Sequence, residues 1–208
     1  MKTEVLDAQK SQEIISKFVG VPETQVITSL KDLKIKAPLV MKILSSDAIH
    51  KTEFGGVSIV HRSEEIESSF NDLILKSKNH KLKLKGILVQ KFVEGQQLII
   101  GLKKDPTFGD VILFGLGGIF TELLNDVSIR KCPITKEEAQ SMIEELRSKK
   151  LFEGFRNIRL NTEKLKEDLI SISKISQKHK DIVELDINPY ILNSKEGHAV
   201  DVRIVINK

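Results

Sequence analysis

The chain has 208 residues, with 33 Lys and Arg against 29 Asp and Glu, for a net charge of +4. No apolar run approaches the roughly 20 residues of a membrane helix, and charges interrupt Met1 to Lys17 where a secretory signal needs an apolar stretch. One cysteine, Cys132, precludes an internal disulfide, so the composition reads as that of a soluble protein of the reducing cytoplasm.

In chain order, Ile14, Ile15, Phe18 and Val19 predict a helix between Leu6 and Val19, ended by Gly20 and Pro22. A short strand follows at Gln25–Thr28, then a stronger one at Pro38–Leu44 whose apolar run Lys42 interrupts. Ser63 is placed to cap a helix with Glu64 and Glu65 in its first turn and Ile66, Phe70, Leu73 and Ile74 on one face. Gly86–Val93 and Leu98–Lys103 read as strands, Asp105–Gly109 as a turn, and Val111–Phe114 as the next strand. Thr135 and Glu138 form a capping box opening a helix with Ala139, Met142, Ile143 and Leu146 on its stripe. A second helix is expected over Thr162–His179, with Leu165, Leu169, Ile172 and Ile175 aligned. Ile182–Ile187 reads as a strand ended by a bend at Asn188-Pro189. In the alternating Ala199–Ile206, Val200, Val202, Ile204 and Ile206 face one way, and Ala199, Asp201 and Arg203 the other. No regular βαβ repeat is visible, so the expected class is α+β, or a two-lobed α/β arrangement.

Composition points away from nucleic acid: there is no tryptophan, Tyr190 is the one tyrosine, and arginines do not interleave with aromatics. The basic cluster Lys76–Lys85 reads as a solvated run. Four local features are chemically suggestive. Lys42 in a buried strand either snorkels or meets an anion. His50, before Gly55-Gly56, is either a surface histidine or a phosphoryl acceptor beside an anion-binding loop. Phe114-Gly-Leu-Gly-Gly-Ile-Phe-Thr-Glu122 matches neither the P-loop nor the dinucleotide fingerprint, and is either a bend or a close ligand approach. Asp186, Asn188 and Asp201 are either surface turn residues or a hard-oxygen set suited to Mg²⁺. Together these four make up the parts for holding Mg-ATP.

Met41-Lys-Ile, Ile49-His-Lys-Thr-Glu-Phe-Gly-Gly-Val57, Asp105-Pro-Thr-Phe-Gly109, Phe114–Glu122 and Glu184-Leu-Asp-Ile-Asn-Pro189 occur in one order between Val21 and Ile206. That set resembles the ATP-grasp β subunit of ADP-forming acetyl-CoA synthetase (acetate–CoA ligase), related to the succinyl-CoA synthetase β subunit. The resemblance implies one ATP-grasp domain over residues 1–208 with nucleotide between two lobes, the first about 22–90 and the second about 91–208. It implies ATP/ADP and Mg²⁺ as cofactors, and a CoA-binding α subunit as partner, expected as α2β2. The implied reaction is reversible: ATP, a carboxylic acid and CoA give ADP, phosphate and acyl-CoA by way of phosphohistidine. By the same resemblance, Lys42 contacts the phosphates, His50 is a second phosphoryl carrier, and Asp186 lies beside the incoming phosphohistidine. Asn188 and Asp201 hold Mg²⁺. Gln90, Lys91, Phe92 and Val93 form the adenine hinge, and Gly117, Gly118 and Glu122 lie near the phosphates.

Two positions depart from the family pattern. Gln97 stands where a ribose-side glutamate is usual, and Lys91 replaces the hinge glutamate. The Thr28–Pro38 segment is also short, which predicts a trimmed first lobe. Two other readings are therefore weighed: another ATP-grasp carboxylate ligase, which needs no histidine carrier, and a non-catalytic nucleotide-binding regulatory subunit.

Overall fold

The computed structural model describes residues 2–45, 55–118 and 126–208. Its elements run β1 (Thr3–Val5), α1 (Ala8–Ile15), β2 (Thr24–Ile27), β3 (Leu39–Ser45), β4 (Val57–Val60), α2 (Ile66–Asn79) and β5 (Leu84–Lys91). They continue with β6 (Gln96–Asp105), β7 (Gly109–Leu116), β8 (Val127–Lys131), α3 (Lys136–Glu144), α4 (Thr162–Ser173) and α5 (Ile175–Lys178). The chain closes with β9 (Ile182–Leu192), β10 (Gly197–Ala199) and β11 (Val202–Asn207). It divides into two compact units, Pro22–Val93 and a second that joins Met1–Val21 to Glu94–Lys208.

The smaller unit is a four-stranded antiparallel sheet, β2-β5-β3-β4, backed by α2. Leu39, Met41 and Ile43 alternate onto the helix side and form a core with Ile87, Val89, Phe70 and Leu73. Val40 and Lys42 fall on the other face, opposite Gln90 and Leu88 of β5. The helix entry differs from the Ser63 cap read in the sequence. Ser63–Glu65 is a 3-10 turn, and the Glu65 carboxylate reaches back to accept from the His61 N–H (3.2 Å), the Arg62 N–H (3.3 Å) and the Arg62 guanidinium (2.8 Å). A carboxylate with a guanidinium beside it is a stronger acceptor than a serine hydroxyl, so it takes over the cap.

The larger unit is a seven-stranded antiparallel sheet in the order β1-β11-β9-β6-β7-β8, with β10 beside β9. Leu98, Ile100 and Leu102 of β6, Ile112 and Phe114 of β7, and Leu185 and Ile187 of β9 point to a core shared with α1, α3 and α4. On the opposite face Ile99, Gly101, Val111 and Leu113 are half-buried and Ile129 is exposed. Within this unit, and among the described residues, helices pack on one side of the antiparallel sheet and the other side carries these half-buried and exposed residues.

Four sequence expectations change. The strand expected to stop at Ile187 runs to Leu192, passing Asn188-Pro189 as a β-bulge. Leu98 pairs with Tyr190 but Ile100 pairs with Ile187, so one extra residue of β9 is absorbed there. A proline lacks a ladder N–H, and a bulge is where a strand tolerates one. The long C-terminal strand is interrupted at Val200 and Asp201, with Ala199 buried rather than on the polar face. The helix expected over Thr162–His179 breaks at Lys174. Strand β8 is not apparent in the sequence because its pattern is inverted: Ser128 and Arg130 turn inward to Glu145 while Ile129 faces out.

Candidate functional site

On the side of the larger unit's sheet away from its helices, one row across the sheet reads Arg203, Asp186, Gly101, Leu113 and Ile129. One step toward the bulge lie Asn188 and Asp201, with the Asn188 N–H donating to the Asp201 carbonyl at 3.0 Å. The Val200 N–H donates to the Pro189 carbonyl at 3.1 Å. These two bonds stitch the bulge to the β10–β11 junction, which brings Asp186, Asn188 and Asp201 onto adjacent turns of two paired strands. Asn188 and Asp201 are exposed and Asp186 is half-buried. Burial pushes the Asp186 carboxyl above the usual carboxylate range; Arg203 opposes this, while Glu184 and Asp201 add to it.

Two carboxylates and one amide oxygen lie at this junction, and the negative charge of Asp201 adds to the burial that disfavours the Asp186 carboxylate; a divalent cation would offset both. Among the described residues no group of three or more His, Cys, Asp or Glu forms a closed metal cage. The set suits an ion such as Mg²⁺, which takes one or two carboxylates and completes its octahedron with water and phosphate oxygens.

At the same end of β6 and β7, Gln97 meets the glycine turn. The Gly117 N–H donates to the Gln97 carbonyl at 3.0 Å, and a Cβ on Gly117 would lie 2.9 Å from the backbone of Gln97 and Leu98. Gly118 has φ of +73° and faces the Gln97 amide oxygen. Gln97 in turn pairs with Ile191, three residues along β9 from Asn188. Gln97, Gly117 and Gly118 therefore form one cluster within this unit.

In the smaller unit Lys42 lies between Leu88 and Val57 on neighbouring strands and is 7% exposed. Gln90 is also buried, with its amide nitrogen 3.5 Å from the Thr24 hydroxyl. The hinge candidates are fixed by their backbone. The Lys91 N–H donates to the Glu23 carbonyl at 2.8 Å and the Phe92 N–H to the Pro38 carbonyl at 3.1 Å. The Lys91 ammonium donates to the Lys36 carbonyl at 3.1 Å, and the Phe92 ring meets His61 edge-on. Val93 is the last residue of this unit. His50 and Glu122 lie outside the described residues.

Sequence reasoning missed the support behind the oxygen set. Tyr190, two residues past Asn188, points to the core and donates to the Asp168 carboxylate of α4, which also accepts from Lys164. Burial raises the Asp168 carboxyl, while Lys164 and Tyr190 lower it; the net effect is upward. Gly197 of β10 makes room for the tyrosine, since a Cβ there would fall 1.7 Å from its hydroxyl. The available signal was an acid inside the apolar stripe of α4, between Leu165 and Leu169.

Among the described residues no helix is long and apolar enough to cross a membrane. The ATP-grasp domain family matches residues 1–206. The β subunit of acetate–CoA ligase (ADP-forming) I from Pyrococcus furiosus is 34% identical over 208 residues, covering 95% of this chain and 90% of that one. The acetate–CoA ligase (ADP-forming) of Methanocaldococcus jannaschii is 40% identical over 178 residues, or 80% of this chain. The chain spans only 25% of that ligase's length, and 26% of a related ligase from Archaeoglobus fulgidus. Among solved structures, acetyl-coenzyme A synthetase 1 of Ca. Korarchaeum cryptofilum with coenzyme A and Ca-AMPCP superposes with a TM-score of 0.92 at 35% identity, covering 98% of this chain and 94% of that one. The same enzyme with Mg-AMPPCP, its phosphohistidine segment pointing towards the nucleotide site, gives 0.86 at 36% identity. The fold, the ordered motifs and these matches establish that the chain belongs to the ATP-grasp family, alongside the β subunits of ADP-forming acetate–CoA ligases.

Proposed function

We propose that the chain is the nucleotide-binding β component of an ADP-forming acyl-CoA synthetase, taking ATP, a small carboxylic acid and CoA to ADP, phosphate and acyl-CoA. The observation that carries this reading is the oxygen set Asp186, Asn188 and Asp201, gathered by the β9 bulge on the sheet side away from the helices, in a chain of this family. The partner is a CoA-binding subunit, in an α2β2 assembly in the cytoplasm.

Phosphoryl transfer asks the protein for position and charge neutralisation more than for covalent chemistry. Mg²⁺, when bound with the nucleotide by Asn188 and Asp201, offsets charge on the triphosphate. Lys42 contributes the ammonium, from a buried position on β3 opposite Leu88 and Val57 of the neighbouring strands. With the Lys91 and Phe92 N–H groups committed to carbonyls within the unit, recognition of the adenine edge falls to the Val93 N–H and the carbonyls around it, from Gln90 onward. Gln97 and the Gly117-Gly118 turn offer close backbone approach to phosphates, with Glu122 following. His50 accepts the phosphoryl group as a neutral imidazole, and Asp186 orients the histidine that exchanges it.

The test is acetate- and CoA-dependent release of ADP from Mg-ATP by this chain with its cognate CoA-binding subunit. Wild type should turn over. Asp201→Asn should raise the Mg²⁺ requirement, and His50→Ala should abolish turnover while nucleotide still binds. Thioester formation unaffected by His50→Ala would remove the carrier role and favour another ATP-grasp ligase mechanism. A second reading, a nucleotide-binding regulatory subunit, draws on Gln97 in place of an acid and on Lys91 turned to the Lys36 carbonyl. It predicts bound nucleotide and no thioester from any small acid.

A further inference from the structure

Glycine in the middle of a strand weakens it, because it costs backbone entropy and packs nothing. Gly101 sits in the centre of β6, and nothing among the described residues requires a glycine there. Gly95, Gly115 and Gly117 are held to glycine by backbone within 3.0 Å of where a Cβ would sit, and Gly109 and Gly118 by positive φ. At Gly101 neither applies. Among the described residues, a Cβ would meet the Leu113 Cβ and the Leu185 carbonyl, both at an ordinary 3.8 Å.

What the missing side chain does is open the sheet face. Leu98, Ile100 and Leu102 point to the core, so position 101 points outward, directly between Leu113 and Asp186. The result is a gap in the row of side chains, with bare backbone at Gly101 and Leu113 on one side. Its far side is a half-buried carboxylate to which no group among the described residues hydrogen-bonds. A half-buried carboxylate beside bare backbone suits a flat group that brings a hydrogen-bond donor, and repels a bare anion.

We infer that Gly101 is a positioning clearance for phosphoryl transfer: its lack of a Cβ admits the phosphoryl-exchanging imidazole edge-on to Asp186. This deepens the reading above and rests on it. The gap is expected to matter for transfer and not for nucleotide binding, which falls to other residues.

The experiment places Gly101→Ala and Gly101→Val in the chain assembled with its cognate CoA-binding subunit. It reads melting temperature, Mg-ADP affinity, and acetate- and CoA-dependent turnover. A β-branched residue favours a strand, so Gly101→Val should melt at or above the wild-type temperature. Its Mg-ADP affinity should stay within about twofold, while turnover falls roughly 100-fold, the scale of a misplacement of about an ångström. Gly101→Ala should fall between the two. Wild-type turnover in Gly101→Val overturns the inference and leaves the ligase reading intact. Should Gly101→Val melt early, Gly101→Ala decides, since its Cβ fits; parallel loss of its melting temperature, nucleotide affinity and turnover would make Gly101 merely structural. A wild-type assembly that binds nucleotide but makes no thioester overturns the ligase reading itself, and the inference with it.

Discussion

Asp186 bears two opposed demands. Its carboxyl is held above the usual range by burial, with Arg203 opposing and Glu184 and Asp201 adding, so the folded chain binds a proton there more readily than the unfolded chain. In the window between the unfolded value and the raised folded one, the native state carries more protons, and stability declines as pH rises through it. Asp186→Asn removes the disfavoured charge. It should raise the melting temperature at neutral pH, flatten that decline, and still depress turnover. A melting temperature lowered by the substitution would show that the carboxylate is compensated in a way its surroundings do not suggest. Behind it, Tyr190 donates to the buried Asp168. Tyr190→Phe leaves that carboxylate one donor short and should cost about 1–3 kcal/mol of unfolding free energy, measured by denaturant titration. The candidate site residues are legible as types in an order, because a phosphate or magnesium site would need lysine, glycine and oxygen ligands. Tyr190 and Asp168 are not, since their meaning lies in a contact 22 residues apart in sequence.

Elements were legible where one face decides them. The core strands β3, β6 and β7 and the stripes of α3 and α4 follow from apolar spacing, and Thr135 with Glu138 caps α3 as the sequence implies. Where polarity is inverted or the ladder is irregular, the signal fails. Strand β8 turns a serine and an arginine inward to meet Glu145. Strand β9 passes a proline that sequence reasoning takes as a stop, because a bulge is a property of two paired strands and not of one. The entry to α2 makes a direct test of such misreadings. Ser63→Ala should leave thermal stability unchanged, whereas Glu65→Ala should lower it, because the Glu65 carboxylate accepts from two backbone N–H groups and the Arg62 guanidinium. Arg62 also holds the Glu65 carboxyl below its usual range, so the contribution should disappear as pH falls through that lowered value. Equal effects from the two alanines would return the cap to Ser63.

At the scale of the molecule, the first 21 residues belong to the unit completed by the last 115 rather than to the strands that follow them. Three contacts explain this. The Leu6 N–H donates to the Ile204 carbonyl (2.9 Å), the Ala199 N–H to the Gly20 carbonyl (2.9 Å), and the Ser171 hydroxyl to the Phe18 carbonyl (2.8 Å). Ile15 is wholly buried, and Val19 nearly so, in the core with Leu165, Leu169 and Ile204. Charge and periodicity announce a helix here but do not say which sheet it joins. Ile15→Ala should therefore destabilise the larger unit by about 2–4 kcal/mol, the usual cost of emptying a full isoleucine site. Hydrogen exchange would locate the damage: amides of β11, β9 and α4 should lose protection by a matching factor, while β3 and β5 of the smaller unit, which draw on their own core of Met41, Ile43, Leu73 and Ile87, keep theirs. Uniform loss across both sheets would mean instead that the two units unfold as one cooperative body.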